Sequence, residues 1–558
     1  MASLSLQLLV VLVLLGCGVC GSGASDGPVV QTSHGPVRGI FVEEGKTFYG
    51  IPFAAPPTGN LRWRPPQPTK PWAPDIYNAT KRSPICIQAA CGPNYPDYMG
   101  QCPPAPETVQ GEDCLYLNVF VPNTASPKSK KPVFIFIHGG NFFEFSAMGI
   151  MYDGRFFANK TDCVVVAANY RLSSLGFLRA GTGKDAAMGN YGLLDQVAAL
   201  QWVQDNIGDF GGDENQVTLF GQSAGAYSVL FHLVNEGSEK LFHKAIVSSP
   251  PIGLYFRSQL EAIIFGNDFA AILNCSVGDM ECLREADASK VAHAQQAVQS
   301  KLVNPIHLIE LAEPWGPIVD GDMISRQMVE SFSTGNFQKK PIIIGTNTDE
   351  GSLFIYGGLS SPLPTTRYQE AMLAIFKTSA FSVLKTYPPS NTGDERPILS
   401  TLATHFIFSC PTRNILKSAL KNGHSNAWMY VFAHPIPGND DAWRRFPFCA
   451  GKVCHGTELA FEFQSSSLVK TSQYKFTPEE QVLADSMAYY YGNFAHTGNP
   501  NTPGNRLTSL RSNQVLLWPS FGSAQNYTNL VFDVPKNSVG QGYLRDKCDF
   551  WDEENLYP

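Results

Sequence analysis

The sequence has little charge. Lysine, arginine, aspartate and glutamate make up 16% of its 558 residues, and no long basic or acidic block occurs. With a net charge of −7 and no basic stripe, it offers no electrostatic footprint for a phosphate backbone, which argues against a nucleic-acid partner. Low-complexity tracts and internal repeats are also missing, as is any apolar run after the amino terminus long enough to span a bilayer. Disordered, solenoid and integral-membrane classes are therefore disfavoured. Core-forming residues are plentiful: 44% of positions are hydrophobic and 12% aromatic, enough for one large, well-cored domain.

Met1 to about Ala24 holds the apolar run Leu6–Leu15 followed by small residues around Gly18, Cys20, Ser22 and Ala24. The expectation is a cleaved secretory signal over residues 1–24 and a single domain over 25–558. Leu14-Leu15-Gly16-Cys17 is similar to a bacterial lipoprotein cleavage site, but no basic residue precedes it. The carboxyl terminus carries neither a retention signal nor a lipid-anchor tail, so no stable membrane anchor is expected. Of thirteen cysteines, Cys17 and Cys20 fall in the leader, and the rest cluster in local pairs with one left over. That usage suits an oxidising compartment. Sequons at Asn78, Asn159, Asn274 and Asn526 agree as a group with a glycosylated secreted chain.

Gly221-Gln222-Ser223-Ala224-Gly225 is the most informative motif. With 49 glycines in the chain, chance matches are common, so context must decide. An apolar strand ending Val217-Thr218-Leu219-Phe220 precedes the motif, and the helical pattern Ala226–Val234 follows it. Glycines on both sides permit a tight strand-to-helix turn with the Ser223 hydroxyl at its apex, beside backbone N–H groups suited to a developing oxyanion. Further strands are expected at Leu115–Val121, Pro132–Ile137, Cys163–Ala168, Lys244–Ser248 and Pro341–Gly345, with a helix over Leu193–Val203. Gly50–Pro57 reads as a proline-rich loop, and Cys86–Cys114 as a loop. A serine at neutral pH needs a base and an orienting acid, which in elbow hydrolases follow in the order Ser, Asp or Glu, His. Glu350 and its neighbour Asp349 are both candidates at the end of the Pro341–Gly345 strand, and His455 is the late histidine. His138-Gly139-Gly140-Asn141-Phe142 follows another strand and reads as an oxyanion loop, or as a simple glycine turn.

Ordered motifs beyond these extend the pattern: Gly50-Ile51-Pro52-Phe53, Leu61-Arg62-Trp63, Glu112–Asn118, Asn169-Tyr170-Arg171-Leu172, Gly189–Gln196 and Phe494–Pro500. On them the chain resembles the type-B carboxylesterases, the family of carboxylesterases, cholinesterases and related lipases, over nearly its whole length after the leader. The resemblance implies an α/β-hydrolase fold: a central, mostly parallel twisted sheet flanked by helices, with a small N-terminal antiparallel sheet. It implies Ser223 as nucleophile, His455 as general base and then acid, and Glu350 rather than Asp349 as orienting acid. Gly140, Asn141 and Ala224 become the oxyanion-hole donors, with Asn141 where the family usually has a small residue. Neither cofactor nor metal is implied.

The family pattern pairs Cys86 with Cys114, Cys275 with Cys282 and Cys410 with Cys548. Proximity in the chain adds Cys449–Cys454 and Cys91–Cys102, leaving Cys163 free. Cholinesterases carry a tryptophan for the choline cation in the first disulfide loop and an acid before the serine. Here Cys86–Cys114 has no tryptophan, only Tyr95 and Tyr98 as alternative aromatic faces, and Gln222 precedes Ser223. The expected substrate is thus a small, uncharged hydrophobic ester. The rival expectation is a catalytically silent, neuroligin-like binding protein or a storage glycoprotein on the same fold.

Overall fold

The computed structural model describes residues 27–558 except 92–99, 104–108, 300–313, 391, 438–445, 469–473, 505–514 and 523–525. The leader expected over 1–24, and Tyr95 and Tyr98, lie outside the described residues.

Eleven strands form one sheet. In chain order they are β1 (Ile40–Val42), β2 (Gly45–Pro52), β3 (Tyr116–Pro122), β4 (Lys131–Ile137), β5 (Val164–Ala168), β6 (Gly212–Gln222), β7 (Lys244–Ser248), β8 (Ile342–Asn347), β9 (Ala427–Phe432), β10 (Thr528–Phe532) and β11 (Ser538–Gln541). Their spatial order is β11-β10-β9-β8-β7-β6-β4-β5-β3-β2-β1. The run from β10 to β5 is parallel throughout, and the flanking strands are antiparallel. Helices cover the sheet, among them α1 (Tyr191–Asn206), α2 (Ala224–Val234) and α3 (Glu350–Gly358).

The central strands read as continuous apolar runs because both faces are buried. Alternate residues feed two cores. Val133, Ile135 and Ile137 of β4 face one, with Leu219 and Val247. Phe134 and Phe136 face the other, where Phe136 meets Phe220 edge-on at 5.0 Å and Phe463 at 4.8 Å. Two of the sequence motifs serve this architecture. Arg171 reaches Asp195 on α1 in a buried two-point pair, Nη2 to Oδ1 at 2.7 Å and Nε to Oδ2 at 2.8 Å.

All five expected disulfides are present, Cys86–Cys114, Cys91–Cys102, Cys275–Cys282, Cys410–Cys548 and Cys449–Cys454, and Cys163 is free and buried. Asn78 and Asn274 are exposed, Asn159 and Asn526 half-buried. The small N-terminal sheet consists of an antiparallel hairpin, Val29–Thr32 with Gly35–Arg38, joined in parallel by Tyr77–Asn78. Two local expectations change. The proline-rich loop begins later than Gly50, because β2 continues through Pro52, a terminal position where the missing N–H is tolerated. The Cys86–Cys114 segment carries a short parallel pair, Ile85–Cys86 with Gln110–Gly111, beside its first disulfide.

Candidate active site

Ser223 sits between β6 and α2 with φ 57° and ψ −125°, a conformation side-chain-bearing residues rarely adopt. Holding it costs about 1–3 kcal/mol. Its N–H donates to the Ser248 carbonyl on β7 at 2.9 Å, and its carbonyl accepts from Tyr227 at 2.9 Å. The flanking glycines are needed for close approach rather than for unusual torsions. A Cβ on Gly221 would lie 2.3 Å from the Gly225 oxygen, and one on Gly225 would lie 2.0 Å from the Ile137 oxygen. The elbow therefore brings α2 directly against the end of β4.

Glu350 is the first residue of α3, just beyond β8, and its side chain is fully buried. Its Oε2 accepts from His455 Nδ1 at 2.6 Å, while Oε1 accepts from the Asn347 N–H at 2.6 Å and the Thr346 hydroxyl at 3.1 Å. An acceptor carboxylate at Nδ1 places the imidazole proton there and makes Nε2 the acceptor nitrogen of the ring. Asp349, its sequence rival, is half-buried, and its N–H donates to the Val453 carbonyl, pairing the α3 start with the histidine loop. Asn347 Nδ2 adds a hydrogen bond to the Cys454 carbonyl at 3.0 Å, and the Cys449–Cys454 disulfide closes the loop beside His455. Phe354 and Phe408 flank the imidazole at centroid distances of 5.1 and 4.9 Å. His455 meets the elbow at Gln222, the residue before Ser223, whose amide nitrogen lies 3.3 Å from His455 Nε2.

The predicted oxyanion loop leaves the end of β4. His138 is buried and stacks on Tyr170 at 4.5 Å; burial pushes its pKa down to about 4, so at neutral pH it is an uncharged packing element. Gly139 lies against the elbow: a Cβ there would stand 2.9 Å from Ser223 Cβ. Gly140 (φ 97°), Asn141 (φ 54°) and Phe142 (φ 60°) then turn the chain with positive φ, and Ala224, fully buried, opens α2 on the other side of Ser223. The unpaired N–H groups of a helix start are natural partners for developing negative charge.

Two carboxyls behind the histidine were not singled out from the sequence. Glu458 accepts from the Asn347 side-chain amide and from the Ser249 hydroxyl at 3.3 Å. Glu462 accepts from Ser248 at 2.9 Å and Tyr491 at 3.0 Å. Burial, reinforced by the charge of Glu350, pushes Glu458 up to about 7; burial, reinforced by Glu458, pushes Glu462 up to about 8. Their signal was the spacing from His455, three and seven residues, which returns to one face of a helical turn. Among the described residues no group of three His, Cys, Asp or Glu side chains is placed to hold a metal ion.

The family model described as the carboxylesterase family matches residues 26–551. The chain is 38% identical to the "Crystal protein" of Dictyostelium discoideum, over 85% of this chain and 82% of that protein. It is 34% identical to the "cAMP-regulated D2 protein" of the same organism, over 94% of each. Acetylcholinesterase 1 of Caenorhabditis briggsae is 31% identical over 90% of this chain and 83% of its own length. With a sheet of this order and a model match of this extent, the chain belongs to the carboxylesterase family.

Proposed function

We propose that the protein is a secreted serine hydrolase that cleaves uncharged, hydrophobic carboxylic esters through an acyl-enzyme. The observation that carries this reading is the 2.6 Å hydrogen bond from His455 Nδ1 to the buried Glu350 carboxylate, made beside a strained serine elbow. Ser223 Oγ attacks the ester carbonyl as His455 Nε2 takes its proton, and Glu350 stabilises the resulting imidazolium. The backbone N–H groups of Gly140, Asn141 and Ala224 receive the oxyanion. His455 then protonates the departing alcohol, and water repeats the cycle on the acyl-enzyme. Asn141 takes its positive φ more readily than most residues, and its side chain narrows the pocket relative to a glycine.

A hydrophobic ester is favoured by the rings around the imidazole, of which Phe354 is 39% exposed. A choline ester is disfavoured by the neutral Gln222 and by the absence of tryptophan from Cys86–Cys114. Secretion is supported by five disulfides, and among the described residues no helix is long and apolar enough to cross a membrane.

One observation favours a second reading, a silent binding or storage glycoprotein: the Gln222 amide nitrogen lies 3.3 Å from Nε2, the atom that must receive the serine proton, and competes for it. Turnover of a p-nitrophenyl ester separates the two. The hydrolase reading predicts release of p-nitrophenol that is absent in Ser223→Ala, and the absence of any turnover by the unaltered protein favours the silent one.

A further inference from the structure

Gln88 follows Cys86 by two residues, in a segment that nothing in the chemistry above uses. The residue is nonetheless only 5% exposed, and its side chain makes a two-point pair with the backbone of Phe145, in the manner of one strand residue with another. The Phe145 N–H donates to Oε1 at 2.6 Å, and Nε2 donates to the Phe145 carbonyl at 2.9 Å. The other amide proton goes to the Cys86 carbonyl at 3.0 Å. Gln88 is itself held, since its N–H donates to Gln110 Oε1 at 3.0 Å while Gln110 Nε2 donates to the Ala90 carbonyl at 2.9 Å. The Cys86–Cys114 disulfide ties this segment to the start of β3.

What the clamp grips is a strained turn. Asn141, Phe142 and Phe145 all have positive φ, up to 70° at Phe145, which for aromatic residues is unfavourable without support. Inside the turn the Gly140 carbonyl accepts from Phe143 and Glu144, both at 2.9 Å. Gly140 also packs on the clamped end without a gap: a Cβ there would stand 2.0 Å from the Glu144 oxygen and 2.9 Å from Phe145 Cδ2. Gly139, one residue earlier, abuts Ser223. A displacement of Phe145 is therefore passed to Gly140, and through it to the backbone beside the nucleophile.

We propose that Gln88 is a positioning residue that holds the Gly140–Asn141 oxyanion donors in register with Ser223, and that the first disulfide loop is the anchor it pulls against. The proposal rests on the hydrolase reading above. Gln88→Met keeps the length and removes all three side-chain hydrogen bonds. Gln88→Glu keeps the acceptor for the Phe145 N–H but turns a carboxylate toward the Phe145 and Cys86 carbonyls, which is repulsive.

The test measures kcat and KM of both variants and of the unaltered protein on a p-nitrophenyl ester and on its thionoester, each normalised to the serine titrated by an organophosphonate. Sulfur is a poorer hydrogen-bond acceptor than oxygen and sits farther from carbon, so the oxo-to-thiono ratio reads the fit of the oxyanion hole. The expected result is a fall in kcat of about 10- to 100-fold with KM within about threefold, and a ratio reduced about tenfold or more. General loosening would lower the titratable fraction and leave the ratio unchanged. A kcat and ratio both within about threefold of the unaltered protein overturn the proposal. Should the variants not fold, hydrogen exchange on the unaltered protein decides: a Phe145 amide protected far beyond ordinary loop amides supports the clamp, and one exchanging at the unprotected rate refutes it. An unaltered protein with neither turnover nor a titratable serine refutes the hydrolase reading and this role with it, whereas intact turnover in the Gln88 variants refutes this role alone.

Discussion

Replacing Glu350 by glutamine changes one atom, and the surrounding hydrogen bonds dictate which way the new amide points. Glu350 Oε1 accepts from the Asn347 N–H at 2.6 Å and from Thr346 at 3.1 Å, so a glutamine must keep its carbonyl oxygen there. Its NH₂ then occupies the place of Oε2 and donates to His455 Nδ1, where the carboxylate accepted at 2.6 Å. The imidazole must shift its proton to Nε2, the nitrogen facing the elbow, and the Gln222 amide, now 3.3 Å from that atom as a donor, must turn over to accept from it. A histidine in that tautomer cannot take the serine proton, and no carboxylate remains to stabilise an imidazolium. Turnover should fall about 10⁴-fold, equivalent to about 5.5 kcal/mol of barrier. Size and burial are conserved, so the fold should persist. The assay is kcat on a p-nitrophenyl ester at pH 7.5 beside a thermal melt. A Glu350→Gln protein that melts normally and keeps kcat within tenfold of the unaltered protein would refute the assignment of Glu350.

Gly225→Ala places a methyl 2.0 Å from the Ile137 carbonyl oxygen, so the elbow must open; organophosphonate labelling at Ser223 should slow at least about 100-fold even in whatever fraction folds, as mass spectrometry of the adduct would read. Glu462, pushed up to about 8 by burial from an ordinary 4.5, keeps its proton in the folded protein while the unfolded chain releases it. Its contribution to stability is thus fully present below pH 4.5 and is lost as pH rises through 8, and the melting temperature of Glu462→Gln minus that of the parent should climb across this window. Cys410 and Cys548 join positions 138 residues apart, and changing both to alanine should cost about 2–5 kcal/mol, measured by denaturant unfolding without reductant.

The strands that carry the site were legible because they are buried on both faces: β4, β5, β7 and β8 are near-unbroken apolar runs bounded by turns. β9, Ala427-Trp428-Met429-Tyr430-Val431-Phe432, is no less apolar, but a short run of this kind does not distinguish a strand from a buried helical turn. β10 was hidden differently, since Thr528 and Asn529 are polar yet buried. The tight turns around Ser223 and after β4 showed in the sequence because glycines mark where backbone meets backbone, as Gly221, Gly225 and Gly140 do here. Adjacent acids are harder. A helix turns about 100° per residue, so of Asp349 and Glu350 only one can face His455, and which one depends on where α3 begins. Glu458 and Glu462 escaped notice because acids at helical spacing ordinarily mark a solvated face, and only the packing of β7 and Tyr491 against them makes them buried. Gln88 carries no motif at all, and its meaning lies in a partner 57 positions away.

The measurement that bears most directly on the account is active-site labelling by a hydrophobic organophosphonate under native conditions, with the adduct mapped by peptide mass spectrometry. One phosphonyl group per chain on Ser223, lost in His455→Ala while the fold persists, is the predicted result. A folded, unaltered protein that takes up no label, or takes it up equally without His455, would contradict it.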